Sequence, residues 1–353
     1  MEAFDINKLQ TPALLVDLDI MEENLQKMAS FFDNKTCRLR PHFKNHKCIA
    51  LAKKQLEAGA IGITTATLHE TETLVNSGFK SILIANEIAG EANLKRLIEL
   101  SGEAQIILAV DSEIVVNDIV RLSSGKKNKL SLAVDIDLGL KRCGIEPGFP
   151  ALELAKKIIA KQVKFDGLMG YEGHLQRMDL SNENLLIRKE AMYRLSETKN
   201  LLLKNNILVN IVSAGGTGTY AIAGGNEAIT EVQAGNYLLM DTSYAPFAPD
   251  FKPSLSLLTS VISVTPGERF ILNAGIKEIS AERGMPSLKN INGAVLKALH
   301  AEHGIVEIEN KLLDVNVGHN IELNVYYSDG TVNLHRVMYG LRHGMVEEIF
   351  EIS

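Results

Sequence analysis

Short apolar runs rich in β-branched residues alternate with segments whose apolar positions recur every three or four residues, from residue 12 to about residue 240. The first run, ALLVDLD at 13–19, leads into an amphipathic stretch with Asp19 as its expected helix cap. Further strand-like runs recur near 37–43, 61–65, 81–85, 105–110, 131–136, 165–170, 208–213 and 229–233. Helical segments fill the gaps. EANLKRLIEL at 91–100, for example, sets Leu94, Leu97 and Ile98 on one stripe. Strands alternating with helices through eight rounds predict a closed parallel (β/α)8 TIM-type barrel, and the span is close to the roughly 250 residues of that fold. An open doubly wound sheet is the competing architecture, since counting strands does not separate the two.

The pattern changes after Asp241. DTSYAPFAPDFKPS carries Pro246, Pro249 and Pro253, which stop helices and interrupt ladders. Beyond it the periodic runs read as strands: LLTSVISV, RFILNA, GIVEIE, IELNVYY, VNLHRVMY and VEEIFEI. The expected organisation is a barrel over 12–245 and a C-terminal, mostly β domain over 250–353, which residues 1–19 are expected to join.

Composition narrows the function classes. Of 353 residues, 46% are apolar and 23% charged, as in a soluble chain with a substantial core. The net charge of -6 is spread without a basic stripe, which argues against nucleic acid as a partner. No apolar run is long enough to span a bilayer, and the N-terminus MEAFDINKLQ has no secretory pattern. Cys37, Cys48 and Cys143 lack metal-type spacing; with no signal in view they fit a reducing cytoplasm.

Two loops and one lysine carry candidate chemistry. In barrels the reactive groups sit at the C-terminal strand ends, and phosphate is often held after strands 7 and 8. Here the seventh run ends in VSAGGTGTY, where Gly215, Gly216 and Gly218 let the backbone approach an anion and Thr217 and Thr219 add hydroxyls. The eighth run is followed by Ala234-Gly235-Asn236-Tyr237, a second close-approach loop. Plain turns would use the same glycines, and Gly216-x-Gly218-x-x-Ala221 also matches a dinucleotide fingerprint. That fingerprint should open a long helix early in the chain, whereas this one lies late and is interrupted at Gly224-Gly225. At the end of the first barrel run stands Arg40-Pro41-His42-Phe43-Lys44-Asn45-His46-Lys47. Crowding by Arg40, His42 and Lys47 would disfavour a charge on Lys44 and favour its attack on an aldehyde. A solvated basic loop that binds a substrate carboxylate accounts for the same residues.

RPHFKNHK resembles the RPHxKTHK signature of the D-threonine aldolase and D-serine dehydratase family of alanine racemase-like pyridoxal 5′-phosphate enzymes. The resemblance extends to TPALLVDLD at 11–19, DIDLGLKRCGI at 135–145, GLMGYEGH at 167–174, VSAGGTGTY at 212–220 and the loop at 234–237. It implies the barrel with a C-terminal β domain, a small amino-acid substrate and a homodimer. By position, Lys44 resembles the cofactor lysine, and Arg142 the arginine near the cofactor's phenolic oxygen. Tyr171 resembles a ring that contacts the cofactor, and Gly216, Thr217, Gly235 and Asn236 the phosphate loops.

The family's late metal motif departs from the pattern. TVNLH at 331–335 anchors it, but Tyr327 replaces the metal-binding histidine while Asp329 keeps the carboxylate. A carboxylate alone is a weak site for zinc, manganese or magnesium unless His303 or His335 joins it. The resemblance implies a lyase on D-amino acids. It would perform aldolase-like cleavage of a β-hydroxy-D-amino acid, or elimination as in a D-serine dehydratase. Tyr327 also admits a metal-independent racemase or epimerase that uses Lys44 and a phenol as its two bases. A non-catalytic pyridoxal phosphate-binding protein is the third possibility.

Overall fold

The computed structural model describes residues 2–126 and 128–353. Two strands open the chain, β1 (Phe4–Asp5) and β2 (Ala13–Asp17). Eight follow: β3 (Arg38–Leu39), β4 (Ile63–Thr65), β5 (Ser81–Ile84), β6 (Gln105–Val110), β7 (Leu130–Ile136), β8 (Phe165–Gly170), β9 (Ile211–Ala214) and β10 (Glu231–Val232). The last eight are β11 (Leu255–Thr265), β12 (Arg269–Leu272), β13 (Ser287–Leu288), β14 (Ala294–Leu299), β15 (Gly304–Ile308), β16 (Asn320–Asn324), β17 (Val337–Arg342) and β18 (Met345–Glu351).

The chain divides into two compact units. One, Met28–Lys44 with Ala52–Gly235, is the barrel. Its strands pair in parallel in the order β3-β10-β9-β8-β7-β6-β5-β4, and a bridge from His42 to Thr64 joins the two ends. The Thr64 N–H donates to the Pro41 carbonyl at 2.8 Å across that seam. Neighbours run consecutively with no reversal, so the doubly wound sheet is excluded. Every residue of β7 is buried, as a parallel strand covered on both faces requires. Leu83, Ile107 and Ala133 form a buried cluster against which Ala85 and Ile211 pack. The helix Glu91–Leu100 buries Leu94, Leu97 and Ile98 as the periodicity predicts. The strand expected at 208–213 begins only at Ile211, because Leu208 stands exposed and the Asn210 N–H turns to the Asp166 carbonyl.

The other unit, Met1–Lys27 with Asn45–Leu51 and Asn236–Ser353, holds a mostly antiparallel sheet in the order β1-β18-β17-β2-β11-β12-β15-β14, with β16 between β11 and β13. Ala13 and Leu15 of β2 pack with Leu258 of β11 in one buried cluster, so the opening strand is part of this core. Three expectations need correction. The helix after β2 starts at Leu18, and Asp17 caps it by accepting from the Ile20 N–H at 3.0 Å; Asp19 instead pairs with Arg342. VNLHRVMY is strand only from Val337, because Ser328–Val332 winds into a short helix. AVLKAL at 294–299, which the pattern left unassigned, is β14. Among the described residues no helix is long and apolar enough to cross a membrane.

Candidate functional site

Five neighbouring barrel strands deliver candidate residues beyond their C-terminal ends: Arg142 follows β7, Tyr171 β8, Gly216 and Thr217 β9, Gly235 β10, and Lys44 β3. Lys44 stands half-buried in a single turn of 3-10 helix, Phe43–Asn45, where its N–H donates to His42 Nδ1 at 3.4 Å. The Arg142 guanidinium lies 5.7 Å from the Tyr171 ring centroid. The basic crowding expected around Lys44 is reduced by other partners. Arg40 turns its guanidinium to Glu231, with Nε 2.9 and 3.0 Å from the two carboxylate oxygens, and donates to Ser81 Oγ at 2.8 Å. Lys47, in the other unit, donates to Asn333 Oδ1 at 2.6 Å.

The glycine loop after β9 is built on two buried side chains that the motif did not reveal. Glu172 Oε2 accepts from the Gly215 N–H at 3.3 Å, and Gln176 Oε1 accepts from the Gly218 N–H at 2.9 Å. Thr219 Oγ1 accepts from the Gly216 N–H at 3.0 Å and donates to Glu172 Oε1. Any side chain at Gly218 would collide with the Gln176 carbonyl oxygen, so close approach to protein already requires this glycine. Three loop N–H groups therefore shape the loop itself. The buried Thr217 stands at its tip. Burial pushes the Glu172 carboxyl above its usual range, against the donors that surround it. The helix after this loop is only Tyr220–Ala223, too short for the dinucleotide reading. Gly235 lies against the backbone of His42, where a Cβ would come within 2.7 Å of the carbonyl oxygen.

Three carboxyl groups gather at the ends of β5, β6 and β7: Glu87, Asp111 and Asp135. Asp135 is buried, and its pKa is raised to about 9 by that burial and by Glu87 beside it, with Arg142 opposing. The Cys143 thiol is pushed up to about 11, chiefly through its hydrogen bond to Glu87. Asp135 thus keeps its proton in the folded chain at neutral pH and would release it on unfolding. It costs stability progressively as pH rises from about 4 to about 9. Replacing it by Asn is expected to flatten that part of the pH–stability curve, by at most about 1.4 kcal/mol per pH unit. Urea denaturation of both proteins at several pH values checks this; parallel curves would mean that Asp135 ionises normally.

In the second unit a polar cluster surrounds the residue that follows Lys44. Asn45 is buried, and its Nδ2 donates to Asn236 Oδ1 at 3.2 Å, Ser328 Oγ at 2.9 Å and Asp329 Oδ1 at 2.6 Å. Three acceptors fix the amide's orientation and leave its Oδ1 buried without a hydrogen-bond partner. Asp241 is fully buried and accepts from the Ser328 N–H and hydroxyl at 2.9 and 2.8 Å. Its carboxylate also takes the Asn236 Nδ2 at 3.3 Å and the Ser243 hydroxyl at 2.8 Å. The Asn236 side chain is thus held inside the cluster. Tyr327 precedes the helix that carries Asp329, and the Arg283 guanidinium lies 4.7 Å from the Tyr327 ring centroid. His335 Nε2 pairs with the Glu278 carbonyl at 2.7 Å, and burial pushes the imidazole below its usual pKa. His303 is exposed. Among the described residues no three His, Cys, Asp or Glu side chains converge as a metal site.

Sequence reasoning missed Glu172, Gln176, Glu87, Asp135, Asp241, Ser328 and Arg283. Of the polar cluster, Asn236 and Asp329 were candidates from the sequence, while Asn45 stood out only as the small polar residue that replaces Thr in the signature.

Comparison with known proteins gives two family matches. The alanine racemase N-terminal domain matches residues 16–243, and a putative serine dehydratase domain matches residues 254–341. The chain is 32% identical to a D-threonine aldolase of Arthrobacter sp over 98% of its length and 93% of the relative's. It is 28% identical to a 3-hydroxy-D-aspartate aldolase of Paracoccus denitrificans, over 100% of this chain and 94% of that one. The crystal structure of D-threonine aldolase from Filomicrobium marinum superposes with a TM-score of 0.95 at 30% identity, covering 100% of this chain and 97% of that one.

Proposed function

The chain belongs to the family of the alanine racemase N-terminal domain, and from that premise we propose that it is a pyridoxal 5′-phosphate-dependent lyase acting on D-amino acids. The observation that carries the reading is the run of five adjacent strands ending in a lysine, two glycine loops, an aromatic ring and an arginine. This donor set fits the cofactor. Lys44 would hold its aldehyde carbon, Thr217 with the backbone at Gly216, Gly235 and Asn236 its phosphate, and Tyr171 its ring. Arg142 would face its phenolic oxygen. The unpartnered Oδ1 of Asn45, one residue from Lys44, is a buried acceptor that a bound ligand's donor would satisfy.

Bound there, the cofactor supplies an electron sink at the substrate's Cα. The chain's own residues do the rest. The Lys44 amine would move a proton at Cα. The Tyr327 phenol would accept the proton of the substrate's β-hydroxyl while passing its own proton on to water. Loss of that proton breaks the Cα–Cβ bond, giving an aldehyde and, after protonation at Cα, glycine. Asn45 holds the Asp329 carboxylate by a hydrogen bond. A homodimer is part of the same reading.

The residues do not fit a divalent metal at the position of the late motif. Tyr327 offers a neutral phenol, Asp329 gives one oxygen to Asn45, and His335 is engaged by the Glu278 carbonyl. The guanidinium over Tyr327 would also repel a cation placed there.

The deciding experiment is a spectral and turnover screen of holoenzyme with D- and L-amino acids, with and without chelator. Cleavage of a β-hydroxy-D-amino acid is expected, unchanged by chelator and not raised by manganese or zinc. No cleavage under any condition would reject the lyase. Activity that chelator abolishes and manganese restores would reject the metal-free reading alone. Loss of α-deuterium with the side chain retained would support racemisation instead.

A further inference from the structure

Glu172 follows β8, is fully buried, and has no part in the proposed mechanism. Its carboxyl group receives the Gly215 N–H at 3.3 Å, the Gln176 amide at 3.0 Å and the Thr219 hydroxyl. The directions of these bonds are fixed by the groups themselves. Gln176 Oε1 accepts from the Gly218 N–H at 2.9 Å, so its Nε2 must donate, to Glu172 Oε1 and to Thr219 Oγ1 at 2.8 Å. Thr219 Oγ1 also accepts from the Gly216 N–H at 3.0 Å. Both of its lone pairs are then in use, and its hydrogen is left for Glu172. Three donors and no acceptor around one carboxyl group is the pattern of an ionised carboxylate.

One buried charge thus reaches three glycines of the loop after β9: Gly215 directly, Gly216 through Thr219, and Gly218 through Gln176. Thr217 lies between them in the chain. A Cβ at Gly216 would come within 2.6 Å of Gln176 Oε1, so the loop is also packed against this network. The network is braced from behind. Arg188, a fully buried residue of the helix Asn182–Lys204, donates to the Leu175 carbonyl at 3.2 Å and the Met178 carbonyl at 2.6 Å, on either side of Gln176. The Leu175 N–H donates to the Glu172 carbonyl at 2.9 Å and closes the turn between them. The Glu172 charge also acts on Arg188, opposing the fall in pKa that burial imposes on the guanidinium. A fully engaged buried network rigidifies the backbone it holds. Backbone that is set before a ligand arrives need not be ordered by it, and that raises affinity.

We propose that Glu172 is the positioning residue of the anion-binding loop: through Gln176 and Thr219 it sets the backbone around Thr217 for a phosphate monoester. The inference rests on the cofactor reading. It adds that phosphate recognition in this chain depends on a buried carboxylate that acts on the loop and not on the ligand.

The test titrates the full chain with pyridoxal 5′-phosphate and with pyridoxal, which lacks the phosphate, and follows absorbance. Glu172→Gln keeps the shape but turns an amide donor toward another donor. Gln176→Ala and Thr219→Val break the two relays and keep the test open if Glu172→Gln does not fold. In each of the three, the preference for the phosphate ester over pyridoxal should fall about 10-fold or more. Thr219→Ser keeps the hydroxyl and should retain most of the preference that Thr219→Val loses. Glu231→Gln, a change elsewhere in the barrel interior, should leave it as in the wild type. Phosphorus NMR of the bound ester should show its resonance moved toward that of the free ester in Glu172→Gln. An unchanged preference in the three loop variants overturns the assignment. So does an equal loss on both ligands, or an equal fall in Glu231→Gln, either of which would make the effect one of general stability. If the wild type binds the ester no better than pyridoxal, the phosphate loop itself has been misread. If it binds neither, the cofactor reading has failed.

Discussion

Lys44→Ala protein is expected to fold and to lose turnover by about four orders of magnitude or more. The fold survives because Lys44 is half-buried in a single turn and the closing bridge uses His42 and Thr64. Turnover would disappear because, in the proposed function, one amine would serve both as the covalent anchor for the cofactor and as the group that moves a proton at Cα. Cofactor absorbance should be lost along with activity.

Lys44→Arg separates this from the alternative of a basic loop that binds a carboxylate. Arginine keeps the positive charge but has no amine that can attack an aldehyde. If charge were the requirement, Lys44→Arg would recover much of the activity. If the nucleophile is the requirement, it stays as inactive as Lys44→Ala. Full activity in either variant would remove the common base of the cofactor reading.

The barrel was legible because most of its strands are short apolar runs, several of them β-branched, and helices between them carry an apolar stripe. Those local periods survive in the folded chain, as at β7 and Glu91–Leu100. The helix Ser328–Val332 was not legible. TVNLHRV reads as β-branched and alternating, and what bends it is remote: the fully buried Asp241 takes the Ser328 N–H and hydroxyl at the first turn. The polar cluster joins positions 45, 236, 241, 328 and 329, which no local spacing connects. The glycine loop shows the intermediate case. Its residues were readable, but Gly218 is also a glycine because Gln176 is behind it, and that contact spans the step from β8 to β9.

The clearest case of charge misread from sequence is Arg40. In the run Arg40-Pro41-His42-Phe43-Lys44 it reads as one more cation in the cluster. The parallel register of β3 with β10 sets Arg38 opposite Glu231 and brings the Arg40 guanidinium onto the Glu231 carboxylate. Both side chains are buried, at 5% and 1% exposure, so neither charge has water to fall back on. Glu231→Ala is therefore expected to destabilise the protein by about 3–5 kcal/mol, since it strands a guanidinium in the barrel interior. Thermal or urea denaturation at neutral pH measures the loss. Glu231→Gln should cost less, because its amide oxygen still accepts one hydrogen bond. The double change Arg40→Met with Glu231→Leu should cost far less than the sum of the two single changes, because it removes both charges and refills the volume with apolar atoms. Additive losses would mean that the two groups do not depend on each other. Coupling of the expected sign would make this pair a structural element beneath the rim.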